Sequence, residues 1–431
     1  MIIESKLGDC DRSLAARAAA TMFLIFAFSY FLSALLRGVT ATLAPAFTAE
    51  FGLTAGDLGL LAGAYFLGFA ATQLPLGSAL DRLGPKRMLL GLLAVAVLGC
   101  VAFALARSFV GLALARALIG VGVSACLMAP LTAFRHRFSD VAQLRANSWM
   151  LMSGSMGMVA STLPVQWLLP LLGWRGLFGA IAVAVGLAML AIWRYVPGDA
   201  SRAVDPAAST SPILQNAAGV PGYAAVWRHK TFLRIAPMGF FHYGGLIAVQ
   251  SLWAGPWLVE VCGWTPQQAA QGLFAINMAM LLSFMAWGSA VPRLFARGWT
   301  AQRLIALGAP VSLIALILAL VLGPGATTWV WVLFCAGSSV VSLSQPAVGL
   351  AFPSVLAGRA LSAFNLVIFL GVFVLQWGIG LAIDLLRLLG WNTLSAYRGG
   401  FALLAGCCVL SYLWFLWQAD QTPVSKPNHS V

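Results

Sequence analysis

The chain has 431 residues, 61% of them hydrophobic and only 9% charged, with a mean hydropathy of +0.91. That balance excludes a water-soluble domain and describes a polytopic membrane protein. The formal charge of +13 would suit a nucleic-acid binder, but its placement along the chain assigns it to membrane topology, and no nucleic acid is expected as a partner.

In chain order, residues 1–17 mix both signs of charge, and no short apolar run with a small-residue cleavage site follows them, so no cleavable signal is expected. A helix needs about 20 apolar residues to cross a bilayer. Twelve such runs follow, at 19–46, 55–79, 87–106, 109–131, 145–169, 175–195, 232–260, 268–292, 302–322, 328–352, 361–385 and 398–418. Ten-residue segments of strict alternation are missing, which excludes a transmembrane barrel. The reading is an all-α integral membrane protein of twelve transmembrane helices. Residues 1–195 form an N-terminal six-helix bundle, 196–231 a central cytoplasmic loop, and 232–431 a C-terminal six-helix bundle with a cytoplasmic tail. The Trp227-Arg-His-Lys230 end of the loop reads either as an amphipathic piece on the inner leaflet or as plain flexible linker.

With the amino terminus inside, the inner segments collect all but six of the 25 Lys and Arg residues. Outer segments hold Arg107, Arg175, Arg387 and Arg398, and two arginines lie within spans. This is the positive-inside pattern, and it sets both termini in the cytoplasm of a cell with the protein in its inner membrane. The 7 cysteines fall mostly inside apolar runs with no metal-ligand spacing, so neither disulfides nor zinc are expected. No Gly-x-x-x-x-Gly-Lys-Ser/Thr loop occurs, so ATP is not expected, and no cofactor is implied.

The two halves repeat. A shift of 211 residues lays Gly77-Ser-Ala-Leu-Asp-Arg-Leu83 on Gly288-Ser-Ala-Val-Pro-Arg-Leu294, Pro45 on Pro256, Gly52 on Gly263 and Thr54 on Thr265. Parallel repeats of this size suit two bundles that rock about a midplane site.

Between the second and third runs stands Gly77-Ser-Ala-Leu-Asp-Arg-Leu-Gly-Pro-Lys-Arg87. It resembles the loop joining the second and third helices of the major facilitator superfamily, Gly-x-x-x-Asp-Arg-x-Gly-x-(Lys/Arg)-(Lys/Arg). The matching residues are Gly77, Asp81, Arg82, Gly84, Lys86 and Arg87. The resemblance implies that superfamily's fold and an alternating-access secondary transporter, driven by an ion gradient or by substrate alone, rather than an enzyme; proton-coupled symport is the expectation. It makes these residues, with Arg293 of the second copy, a conformational gate whose carboxylate and guanidinium pair with neighbouring helix ends. Pro292 stands where Asp81 does, so the gate is expected to be asymmetric. The partners implied are a small-molecule substrate, protons or another coupling ion, and membrane lipids, around a monomer.

All 12 acids fall at span ends or in loops. Arg37 in the first span and Arg116 in the fourth do not, and a guanidinium at such depth costs at least ~2.5–3.5 kcal/mol on insertion scales. With no buried carboxylate to pair with, the missing partner can be an anionic substrate, since an arginine fork holds carboxylate, phosphate or sulfate. The alternatives stay open. Arg37 can snorkel to the outer headgroups. Arg116-x-x-x-Gly120-x-Gly122 resembles a pattern common to many superfamily members, including cation exporters, where the arginine serves proton coupling or a backbone carbonyl.

Further candidates for the substrate site are Tyr65, Gln73, Gln250, Trp253, Asn277 and Asn365; amides in spans also serve to hold helices together. His242, Gln250 and Trp253 recur at helical spacing and should share a face, with Trp253-Ala-Gly-Pro-Trp257 breaking the seventh span. His242, the one histidine inside a span, is the proton-coupling candidate, or else an interhelical hydrogen bond.

Within the superfamily, Tyr30…Arg37 and Leu60…Gly77 look like bacterial anion carriers grouped with nitrate/nitrite porters. Those porters carry an arginine in the second and eighth spans, absent here, so nitrate itself is disfavoured. Drug/proton antiporters carry a Gly-Pro-rich fifth span that Gly154…Pro164 matches poorly. The function expected is transport of a small organic or inorganic anion, with efflux of lipophilic compounds as the alternative and a non-transporting scaffold or sensor as the third reading.

Overall fold

In the computed structural model the described residues are 2–198 and 223–420; among them every regular element is helical and no strand occurs. Most of the 196–231 interval therefore lies outside the described residues. Its end is ordered as a short helix, Tyr223–Trp227, which buries Val226 and leads into the seventh span.

Among the described residues, ten helices are long and apolar enough to cross a membrane. The chain nonetheless makes twelve passes, because two features disguise one pass each. The second pass is the 17-residue helix Ala55–Ala71, continued past Thr72 by Gln73–Leu83. The fifth runs along Asp140–Ala160 and resumes at Leu163, and the long helix Leu163–Tyr195 is in truth two, hinged at Gly173 with φ +63°. Residues 174–195 are the sixth pass. The others are Arg17–Phe51, Pro85–Leu105, Phe109–Arg135, Lys230–Val261, Pro266–Ala296, Ala301–Gly325, Thr328–Leu350, Leu356–Leu388 and Thr393–Gln418. The first pass overruns its expected end at residue 46 and carries Pro45 inside the helix.

The repeat at 211 residues is written into the backbone. Gly52 and Gly263 both take positive φ, +61° and +70°, where a β-carbon is strained. Two residues on, Thr54 and Thr265 each N-cap the next helix in a capping box, with Asp57 and Gln268 as the reciprocal partners. One difference matters below: position 55 is alanine, whereas its counterpart 266 is proline.

These turns mark one end of the bundle, the Gly52 end. Gly84, at φ +80° between the second and third spans, marks the other. The halves meet along two seams where glycine lets backbones touch. A Cβ at Gly59 would run into the Gln376 carbonyl, and one at Gly380 into the Ala55 carbonyl, so the second and eleventh spans pack without intervening side chains. Between the first and seventh spans, a Cβ at Gly255 would lie 2.8 Å from the Ala41 carbonyl oxygen. Small-residue contact of this kind is how helices associate where lipid removes the hydrophobic drive. Gly154 against Tyr30 and Gly157 against Phe31 do the same for the fifth and first spans.

Candidate functional site

Arg37 lies at the seam between the halves. Its guanidinium carbon is 5.8 Å from the ring centroid of Phe69 in the second span and 6.0 Å from that of Phe369 in the eleventh. The two rings are themselves 4.4 Å apart, centroid to centroid. The hydroxyls of Tyr30 and Tyr65 stand within hydrogen-bonding reach of the guanidinium, and Tyr243 close enough to interact with its charge. The side chain is half-buried, and its Nε has no hydrogen-bond partner. The helix runs on for another fourteen residues to Phe51, about 21 Å at 1.5 Å per residue. That distance is beyond the reach of a snorkelling arginine at the Gly52 end.

Arg116 is 1% exposed. Its Nη2 donates to the Thr40 hydroxyl, and its guanidinium carbon sits 5.2 Å from the centre of the Tyr65 ring. Nε and Nη1 are buried without partners. Tyr65 is fully buried and donates its hydroxyl to the Ser33 carbonyl at 3.2 Å. It thus lies beside both guanidinium groups. Gly120 and Gly122 explain the rest of the Arg116 pattern by packing: a Cβ at either would strike the backbone of Tyr65 or Ala96.

The other expected residues hydrogen-bond elsewhere. Gln73 is buried and returns its Nε2 to the Phe69 carbonyl on its own span. Gln250 donates to Asn277 at 2.9 Å, tying the seventh span to the eighth, and Gln345 donates to Asn365 at 2.9 Å between the tenth and eleventh. Trp253 is fully buried and donates to the Gln376 carbonyl of the eleventh span.

His242 packs against the ninth span, with Nε2 2.6 Å from the Ser312 hydroxyl. That hydroxyl also donates to the Ala309 carbonyl at 2.7 Å, and the buried Nδ1 has no partner. The expected common face of His242, Gln250 and Trp253 is therefore not formed; they address the ninth, eighth and eleventh spans in turn. Two π-helical turns, Met238–Tyr243 and Val249–Trp253, are the reason, and a third follows at Trp257–Val261. Each replaces the i→i−4 ladder by wider turns and rotates the residues beyond it. The same turns carry the span through Trp253–Trp257 without a break.

Of the expected gate, the Asp81 side chain lies outside the described residues. Arg82 and Arg87 are exposed, and Gly77 has the Ser362 hydroxyl 3.9 Å from the position of a Cβ. Lys86 donates to the carbonyls of Trp193 and Val196 at 2.9 and 2.5 Å, fastening to the end of the sixth span in its own half. Arg293 donates to the Ser289 carbonyl one turn back on its own helix.

At the Gly52 end, ion pairs form within each half: Arg175 with Glu50 at 2.6 Å, and Arg387 with Glu260 at 3.8 Å. One acid reaches across. Asp384 of the eleventh span accepts from the backbone N–H of Ala55 at 3.0 Å and of Gly56 at 2.7 Å, at the start of the second span.

A family model described as Major Facilitator Superfamily matches residues 26–376. Among characterised sequences, a chloramphenicol resistance protein of Pseudomonas aeruginosa is 30% identical over 154 residues, which is 34% of this chain. The match spans only 35% of that relative's length. Among solved structures, a D-xylose-proton symporter superposes with a TM-score of 0.77 at 14% identity, covering 95% of this chain and 99% of that one. A bacterial homologue of the human lysosomal transporter Spinster, inward-facing and occupied, gives 0.71 at 17% identity, covering 94% and 97%. At such identities the superpositions speak to the fold.

Proposed function

The chain belongs to the Major Facilitator Superfamily, and from that membership we propose that it moves a small organic anion across the membrane by alternating access, with Arg37 reading the charge. One observation carries this reading: a guanidinium held at the seam between the halves, over one aromatic ring from each, with an unpartnered Nε. A cation so placed costs free energy unless a counter-charge arrives, and an arginine fork fits a carboxylate or phosphate. Phe69 and Phe369 add flat apolar surface beside it, which suits a substrate with a planar body. Arg116 stands one tyrosine away and strengthens the positive field of the same region without adding a carboxylate.

Orientation follows from charge. Arg82, Lys86, Arg87, Arg137, Arg228 and Lys230 lie towards the Gly84 end, while Arg107, Arg175, Arg387 and Arg398 lie towards the Gly52 end. The Gly84 end is accordingly the cytoplasmic one, in an inner membrane. The anion-carrier branch grouped with nitrate/nitrite porters remains the proposed kinship. Proton-coupled symport is proposed with it, although coupling through His242 draws no support from a ring enclosed between the seventh and ninth spans.

The test is a thermal-shift panel of carboxylates, phosphate and sulfate esters, chloramphenicol and lipophilic cations against wild type and Arg37→Gln. A ligand that binds only the folded state raises its apparent stability. An anion that stabilises wild type and not the variant supports the reading, and uptake of that anion into vesicles separates a transporter from a scaffold.

A second reading, export of lipophilic compounds, rests on the likeness to the chloramphenicol resistance protein. Stabilisation by chloramphenicol or cations alone, indifferent to Arg37, would put it first.

A further inference from the structure

The start of the second span needs four hydrogen-bond acceptors, as every helix does. Two are local: Thr54 N–H donates to the Asp57 carboxylate at 3.1 Å, and Asp57 N–H to the Thr54 hydroxyl at 3.2 Å. The two donors between them, Ala55 and Gly56, find theirs in the other half of the molecule, one on each oxygen of Asp384. The carboxylate also lies at the positive end of the helix dipole. Directly behind this fork, Gly59 and Gly380 bring the second and eleventh spans into backbone contact. The second copy of the repeat is built otherwise. Its capping box is intact, but Pro266 stands at the position of Ala55 and has no N–H to offer.

We propose that Asp384 is a latch: its bidentate grip on the Ala55 and Gly56 amides holds the halves together at the Gly52 end, and its release is required for that end to open. The titratable and charged groups around it are Tyr397 of the twelfth span, which stands near Asp384, Arg387 and Glu260, the last two paired with each other; on the second span, Asp57 is occupied by Thr54. Among the described residues, Asp384 forms no ion pair that would compete with the two amides. The latch is thus a charge on a helix end, with Pro266 unable to supply the matching donor in the repeat, and it acts on the closed state alone because its donors and acceptor belong to different halves. The inference rests on the alternating-access reading above.

Hydrogen exchange on the detergent-purified full chain tests it, read at two places: the second span's start, residues 52–58, and the distant seam between the first and seventh spans, around Ala41 and Gly255. In Asp384→Asn, one amide loses a charged acceptor and the other faces an NH2 group. Exchange should quicken about tenfold at both places, as loss of charge-assisted hydrogen bonds allows. Ala55→Pro, which copies position 266 and leaves the acid in place, should give a smaller rise at both. Asp57→Asn, which breaks only the local capping box, should affect residues 52–58 alone. Faster exchange confined to residues 52–58 in Asp384→Asn would make Asp384 a mere helix cap and overturn the latch, as would no change at either place. A folded Ala55→Pro with an unmoved distant seam would do the same. These readings need no substrate, so a failure of anion transport and a failure of the latch are told apart.

Discussion

Phe69 and Phe369, 300 residues apart in sequence, face each other across the seam with ring centroids 4.4 Å apart. They belong to different halves, so any rocking of the halves must part them, and the guanidinium of Arg37 lies over both.

Replacing Arg37 tests whether its charge or its shape is used. Arg37→Gln should abolish stabilisation by the anionic ligand and cut its uptake at least tenfold. Arg37→Lys keeps the charge but loses the planar fork and the ring contacts, so uptake should remain low. Full activity in the lysine variant would show that a point charge is enough.

The two rings should act as one. Each guanidinium–ring contact is worth about 0.5–2 kcal/mol, and the rings also touch each other. The effects of Phe69→Leu and Phe369→Leu on the ligand's thermal shift should therefore fall short of additive in the double variant. Strict additivity would place the rings in separate sites.

Arg116 is buried with two unpartnered nitrogens. Arg116→Met should leave the melting temperature unchanged or higher, since an uncompensated buried charge is removed. Uptake should nonetheless fall at least tenfold if the arginine's field serves the site. A clear loss of stability would show that the Thr40 hydrogen bond is what the residue is kept for.

His242→Gln removes the bond to Ser312 and should cost about 1 kcal/mol of stability. Because the ring faces the ninth span, the pH profile of transport should be that of wild type. A flattened profile would return the proton to this histidine.

Gly120→Ala places a methyl group against the Tyr65 carbonyl. Overpacking of this kind costs about 1–3 kcal/mol, read as a lower melting temperature. The displacement of Tyr65 should weaken ligand binding as well.

The passes were legible in the sequence because hydropathy is a local property, and the repeat was legible because Gly52 and Gly263 answer the same demand for positive φ. The face of the seventh span was not. A 3.6-residue period places His242 and Gln250 together, and nothing in Met238–Tyr243 or Val249–Trp253 announces a π turn. Arg37 and Arg116 stood out by the cost of burying charge. Phe69 and Phe369 did not, since phenylalanine in an apolar run is unremarked until a second helix is laid against it. Asp384 was readable only as an acid near a span end. Its partners are the amides of residues 328 and 329 positions away, which no spacing rule reaches.

Gly173 joins the fifth and sixth spans in a single residue, and the corner beside it is held down: Trp174 and Arg175 both donate to Glu50 at 2.6 Å. A one-residue link leaves little slack for sliding, although the glycine itself can turn. The fifth span cannot slide along the sixth without breaking that corner, so the two are expected to shift together. Such a corner couples the two spans in translation, which leaves the seams between the halves as the place where sliding is easiest.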